Sequence, residues 1–275
     1  MPKPLEYELS VVGAKQLTPN MKRITLAGVS LESFPSDQEG AYIKLMLPQG
    51  KDESPAMRTY TVSLQRPEIK EIDIDFVLHD HGGPASKWAQ NVKLAETISI
   101  AGPGAKKLVE QNADWFFIVG DMTALPAICA NLRILPPTAR GYLVVEVIDS
   151  KDIQNLQIPV GIEMHWVVSS SASSIEKSLL EKVESLPWLD GTPYVWAACE
   201  FGTMRALRKY FKVNRQVDRN SLYISSYWKK GVDEKAHKKI KRDDSIQAEA
   251  LGNSITSDQR KWHFVFRKVR KVLLG

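Results

Sequence analysis

The hydrophobic period changes close to residue 110, and that change constrains the fold more than any single motif. Between Glu6 and Ile100 apolar residues recur at every second position in short runs, 6–12, 21–26, 41–47, 58–64, 72–78 and 97–100, separated by turn residues. A period of two marks strands with one face buried. Six such strands, with a helix after the fifth, predict a small antiparallel barrel closed at Gly102-Pro103-Gly104. After Asp114 the apolar runs become solid, at 115–119, 141–148, 163–168, 193–198 and 221–225, and alternate with helical stretches at 125–132, 174–186 and 203–212. Solid runs separated by helices predict a mainly parallel sheet covered on both faces. The expected fold is therefore two-domain: a six-stranded antiparallel β-barrel over 1–110, an α/β domain over 111–231, and a helical tail over 232–275.

Composition enters as a set of exclusions. The 275 residues leave room for two cores, and 43% hydrophobic with 25% charged residues is ordinary for a soluble protein. No apolar run reaches membrane-spanning length, and Met1-Pro2-Lys3-Pro4-Leu5-Glu6 lacks the apolar core of a secretion signal. The expectations are a cytoplasmic protein without stable membrane insertion. The two cysteines, Cys129 and Cys199, lie in separate apolar stretches and are expected as buried thiols; they cannot supply the four thiolates of an ordinary iron–sulfur cluster. Neither His79 with His81 nor His237 with His263 belongs to a group with metal-ligand spacing, so any iron must arrive inside a ligand. There is no Gly-x-Ser-x-Gly or Walker-type loop. The net charge of +5 resides wholly in residues 232–275, because basic and acidic side chains balance over the rest. That excess favours an acidic partner near the tail, and its confinement there without a recognised nucleic-acid-binding fold argues against nucleic acid. From Asp258, Trp262, Val265, Phe266, Val269 and Leu273 form a stripe flanked by Arg260, Lys261, Arg267, Lys268, Arg270 and Lys271, a pattern that fits docking on the protein itself, contact with a membrane surface or a solvated helix.

Two segments carry the candidate chemistry. In Arg58-Thr59-Tyr60-Thr61 a cation and an aromatic hydroxyl stand two residues apart, on one face of a strand, with Thr61 on the other. Arg58 suits a phosphate through its planar fork of donors, and Tyr60 suits a flat ring. In His79-Asp80-His81-Gly82-Gly83-Pro84-Ala85-Ser86-Lys87-Trp88 a strand breaks at two glycines and a helix starts at Pro84. Free amides at such a start can face a pyrophosphate. An ordinary strand-to-helix turn uses the same residues, so taken alone the second segment leaves both readings open. Lys44, on the third strand, and Lys106 beside Lys107, after the turn at 102–104, form a possible positive rim; solvated surface lysines are the competing reading.

The two segments in this order, followed by Gly120-Asp121-Met122-Thr123-Ala124-Leu125-Pro126-Ala127-Ile128, Glu200-Phe201-Gly202-Thr203-Met204-Arg205 and Tyr223-Ile224-Ser225-Ser226-Tyr227-Trp228-Lys229-Lys230-Gly231, resemble the siderophore-interacting proteins. These are flavin-dependent ferric-siderophore reductases related to ferredoxin-NADP reductases. The resemblance spans most of residues 5–231 and implies FAD, bound through Arg58, Thr59, Tyr60, Thr61, His79, Gly83, Ala85 and Ser86. It implies Asp121, Thr123 and Ala124 near the adenosine half, and Trp228 or Tyr227 covering part of the cofactor. It implies a ferric siderophore as substrate, with Lys44, Lys106, Arg260 and Lys261 as cations that attract an anionic chelate. The implied electron donor is NAD(P)H or a ferredoxin, and the implied state is a monomer. The sequence departs from the family pattern where Cys199-Glu200-Phe201 replaces a small Gly-Glu-Ala run and Met122 replaces an acidic residue. That departure leaves a pyridine nucleotide and a protein donor both open. A general ferredoxin or flavodoxin reductase and a non-catalytic siderophore-binding flavoprotein are the competing functional classes.

Overall fold

The computed structural model describes residues 5–49, 54–79, 82–169 and 175–248, without the side chains of 175–178. Residues 1–230 form one unit and 231–275 a second. In the first unit, β1 (Glu6–Thr18), β2 (Met21–Ala27), β3 (Tyr42–Leu47), β4 (Ala56–Arg66), β5 (Glu71–Val77) and β6 (Thr97–Ala101) close a barrel in the order β1-β2-β5-β4-β3-β6. Every neighbouring pair is antiparallel. The period of two places Leu9 and Val11, Ile24 and Leu26, Ile43 and Leu45, Ile72 and Ile74, and Ile98 and Ile100 in the interior. Truncating one of these to alanine costs about 2–5 kcal/mol. β1 runs six residues past the expected 6–12, to Thr18, because bulges between Val11 and Gly13 and between Gln16 and Thr18 break the alternation while pairing to β2 continues. Helix α1 (Pro84–Asn91) puts Ala85, Ala89 and Trp88 against this core.

The second sheet consists of β7 (Trp115–Asp121), β8 (Arg140–Val147), β9 (Gly161–Val168), β10 (Pro193–Glu200) and β11 (Leu222–Trp228), in the order β11-β10-β7-β8-β9. All its pairings are parallel. The solid apolar runs are buried because α2 (Leu125–Ile134), α3 (Ile175–Ser185) and α4 (Phe201–Lys209) cover the sheet. From β7 the chain moves outward through β8 and β9, then returns to β10 on the other side of β7. The strand order thus reverses between β7 and β10, at whose carboxyl ends a crevice is expected. α4 begins two residues before the expected 203, because Glu200 supplies the capping carboxylate.

Barrel and sheet are joined by polar contacts that are not visible in any local pattern. The buried Asp152 carboxylate accepts from Thr18 Oγ1 at 2.6 Å, Asn20 N at 2.9 Å and Asn20 Nδ2 at 2.8 Å. Arg133 on α2 donates to the Ser63 carbonyl at 3.1 Å and pairs with Glu39 at 2.9 Å. Ser63 sits at a bulge in β4, so Thr61, Val62 and Ser63 are buried in succession.

In the second unit a helix covers 234–248. Arg260, Lys261 and the apolar stripe of the tail lie outside the described residues, as do Asp80 and His81. Among the described residues no helix is long and apolar enough to cross a membrane.

Candidate functional site

Strand register decides which side chains of the first segment act together. Arg58 lies opposite Leu45 and Tyr60 opposite Ile43, both interior residues, so the arginine and tyrosine share the inward side of β4. Thr59 lies opposite Lys44, and Thr61 opposite Tyr42, on the outward side. The Tyr60 ring centroid is 4.4 Å from that of Phe76, which is 5.5 Å from that of Trp88 on α1. Trp88 is held in turn by its Nε1 donating to Glu96 Oε1 at 2.6 Å. Tyr60 therefore rests on an aromatic shelf built by β5 and α1. Residue identity alone did not single out Phe76 and Trp88; their signal is the alternation of β5 and the amphipathic spacing of α1.

The second segment forms the start of α1. A Cβ on Gly82 would lie 2.4 Å from Ser86 Cβ and 2.9 Å from the His79 carbonyl, so glycine is required for the turn to pack on the helix. A Cβ on Gly83, the N-cap residue, would meet nothing within 4 Å. The Ser86 hydroxyl accepts the His79 N–H at 3.1 Å, which closes the loop. The helix start has no side-chain cap and no acidic residue in its first turn. The open space at Gly83 and the uncapped start, with Arg58 and Tyr60 on the barrel strand, fit an anionic group joined to a flat ring system.

The ends of β7, β10 and β11 are organised by two buried carboxylates. Asp121 accepts from Thr123 N at 2.9 Å and from the Thr123 hydroxyl through Oδ1, and from Glu200 N at 2.9 Å and Trp228 Nε1 at 2.8 Å through Oδ2. Glu200 Oε2 accepts from the amides of Gly202 and Thr203, and Oε1 from Lys230 N at 3.1 Å. Burial pushes the Asp121 carboxyl above its ordinary range, and the donors around it act in the opposite direction. Burial, with the nearby Asp121, Glu146 and Glu200, also pushes the Cys199 thiol well up, which makes it inert as a nucleophile. Trp228 is thereby fixed with its ring centroid 6.3 Å from that of His79, bringing the α/β domain to the start of α1.

Some candidates are placed differently from the simplest expectation. The Ala124 methyl is fully buried in the second core, against Gly120. Thr123 spends its amide and hydroxyl on Asp121. Lys44 bonds the Thr59 hydroxyl on the outward face, across β4 from Tyr60. Lys106 is ion-paired with Asp37 at 2.8 Å and bonds the Asp37 carbonyl at 2.6 Å. The Asp37 pairing carries no sequence signal, because it spans 69 residues. Cys199 is buried as expected, whereas Cys129 is only half-buried.

Comparison with known proteins agrees with this geometry. Residues 113–231 match the model of the siderophore-interacting protein family, and residues 10–57 and 49–107 that of the siderophore-interacting FAD-binding domain. The chain is 32% identical over 248 residues to the ferric vibriobactin reductase ViuB of Vibrio cholerae, covering 83% of this chain and 91% of that one. The crystal structure of the siderophore-interacting protein SipS from Aeromonas hydrophila superposes with a TM-score of 0.80 at 35% identity, covering 89% of this chain and all of that one (100%). A ferredoxin-NADP+ reductase from Plasmodium falciparum shares the fold, with a TM-score of 0.61 at 13% identity over 82% of this chain and 99% of that one. The chain belongs to the siderophore-interacting protein family, and its barrel is the family's FAD-binding domain.

Proposed function

We propose that this protein reduces the iron of a ferric siderophore, using FAD, and so releases ferrous iron in the cytoplasm. The observations that carry the reading are Tyr60 on its shelf of Phe76 and Trp88, the uncapped helix start at Gly83, and Trp228 held toward His79 by Asp121. The reductase activity of a relative that spans most of the chain supports it. Arg58 and the amides of Ala85 and Ser86 would hold the pyrophosphate, with Gly83 leaving room for it. Tyr60 on its aromatic shelf would support the ring system, with Thr59, Thr61 and His79 at its edges. Trp228 would cover part of the cofactor, and Asp121 and Thr123 would reach the adenosine half only through the network they already form.

When bound, FAD supplies a centre that accepts reducing equivalents and passes electrons on singly. Ferric iron is held by hard oxygen donors; the less charged ferrous ion is held less tightly, so one-electron reduction loosens the chelate. No general base or nucleophile is needed. The chain's own contribution is to orient, to exclude water and to attract an anionic chelate, for which Lys44 and Lys106, with Arg260 and Lys261 of the tail, are the candidate cations. The donor is NAD(P)H or a ferredoxin, and the protein acts as a monomer.

The test is anaerobic absorbance of the purified flavoprotein, mixed separately with NADH, NADPH and a reduced ferredoxin, then with a ferric siderophore and a ferrous trap. Bleaching followed by reoxidation with ferrous release is expected. A flavin that stays reduced beside the chelate would leave only a siderophore-binding flavoprotein, and preferential turnover with pyridine nucleotide and ferredoxin would indicate a general reductase.

A further inference from the structure

Among the described residues Tyr42 is the only aromatic side chain left exposed, at 44%. It is nevertheless held in place. The Gly104 N–H donates to the Tyr42 carbonyl at 2.8 Å, and a Cβ on Gly104 would lie 1.9 Å from Tyr42 Cζ and 2.2 and 2.4 Å from its two Cε atoms. One face of the ring therefore rests on the Gly104 backbone, in space that only glycine leaves. A ring backed in this way is fixed before a ligand arrives, so stacking on its open face costs little further ordering.

The next outward residue of β3 is Lys44, whose Nζ stands 6.0 Å from the Tyr42 centroid and donates to the Thr59 hydroxyl. Thr59, and Thr61 opposite Tyr42, are the residues assigned above to the edge of the flavin ring. Beyond Lys44 the barrel seam opens. β3 pairs with β6 only as far as Met46, opposite Ser99, and Pro48 offers no N–H to continue the ladder. The gap is a cleft of about 400 Å³, within the size range of small-molecule sites, lined by the apolar Met46, Pro48, Pro55 and Ile98 and bearing one carboxylate, Glu8.

We propose that Tyr42 and Lys44 form an aryl subsite that selects ferric chelates of the catecholate class, with the cleft beyond Met46 taking the backbone that links the chelating groups. The assignment rests on the reductase reading above and names the substrate class of that site. A catecholate is a flat ring bearing paired anionic oxygens, so its ring stacks on the open face of Tyr42 while its charge lies beside Lys44. A hydroxamate has no ring to stack, and its tris-chelate carries no net charge to attract. Glu8 repels an anionic iron core from the cleft and so directs it to the Lys44 end, leaving the apolar lining to the uncharged linker.

The experiment is calorimetric titration of the oxidised, flavin-loaded protein with a ferric tris-catecholate, with ferrichrome as a neutral tris-hydroxamate, and with ferric citrate as an anionic chelate without rings. Wild type, Tyr42→Phe, Tyr42→Leu and Lys44→Gln are compared, with thermal melting and flavin absorbance confirming that each is folded and loaded. Wild type is expected to bind the catecholate about tenfold more tightly than ferrichrome or ferric citrate. Tyr42→Phe should keep that preference, whereas Tyr42→Leu should weaken catecholate binding alone, by roughly three- to tenfold, the size of one aromatic stacking contact. Lys44→Gln should weaken both anionic chelates and flatten their salt dependence. Wild-type affinities for the three chelates within a factor of about two, or a Tyr42→Leu variant that weakens all three alike, would overturn the subsite. Chemically reduced protein mixed with the same chelates tests the reductase reading separately. Selective binding without flavin reoxidation would refute turnover and leave the subsite standing, and reoxidation without selectivity would do the reverse.

Discussion

Two helix starts in the same unit are built in opposite ways. At α1 the N-cap is Gly83, no side chain caps the amides, the first turn carries no acid and the space in front is open. At α4 the N-cap is Glu200, whose buried carboxylate is spent on the first amides, and the turn before α2 is closed likewise by Asp121. An uncapped start is a standing cost unless something negative arrives, whereas a self-capped start is complete. The difference leaves the start of α1 open to a negative group and completes the start of α4 with the chain's own carboxylate.

The largest effect should come from erasing the contrast. Gly83→Asp places a carboxylate at the α1 start, which should cap the helix, stabilising the apoprotein by about 1 kcal/mol, while repelling the flavin pyrophosphate. Flavin affinity is expected to fall by roughly 100-fold, given that charge-assisted contacts contribute about 1.5–3 kcal/mol each. Equilibrium dialysis against FAD measures it, and unchanged retention would show that the start of α1 is not the phosphate site.

Next in size is the converse change. Glu200→Ala should lower stability by about 1–2 kcal/mol, the range of a lost helix cap, with flavin affinity nearly unchanged. Urea denaturation and the same dialysis separate the two, and a large loss of flavin would place Glu200 at the cofactor instead.

A comparable cost attaches to the joint between barrel and sheet. Hydrogen bonds from Thr18 and Asn20, outweighing burial, hold the Asp152 carboxyl below its ordinary range. Its folded pKa is therefore depressed, so its contribution is present above the unfolded pKa of about 4 and is lost as the pH falls through the folded value. Asp121, whose carboxyl is raised, works in the reverse sense and loses stability as the pH rises toward its folded value. Asp152→Asn should cost about 1–2 kcal/mol at pH 7 and converge with wild type in acid. Urea midpoints at several pH values would show it, and a pH-independent gap would exclude the charged carboxylate as the cause.

The smallest effect is expected at Lys106. Its ion pair with the exposed Asp37 contributes about 0–1 kcal/mol, so Lys106→Ala should leave the fold intact. It should raise the KM for an anionic ferric chelate only a few-fold, by an amount that shrinks with added salt. Equal salt response in wild type and variant would remove Lys106 from the substrate path.

Much of the molecule was legible before any coordinates. The period of two in 21–26 and 72–78 located barrel strands to within a residue or two, because a half-buried strand must alternate. Pro84 behind two glycines located the start of α1, because proline suits only a first helical turn. The end of β1 was less legible, since bulges break alternation without ending pairing.

What the sequence determined by itself was therefore local: strand and helix periods, turn residues, and the presence of a cation and a tyrosine two positions apart. Only the tertiary structure decided which side chains have their charges answered. Trp228 reaches Asp121 across 107 residues, Lys230 reaches Glu200 across 30, and Lys106 reaches Asp37 across 69. Period and propensity act within a few residues of chain, whereas capping a helix or neutralising a lysine depends on whichever group packing brings within about 3 Å.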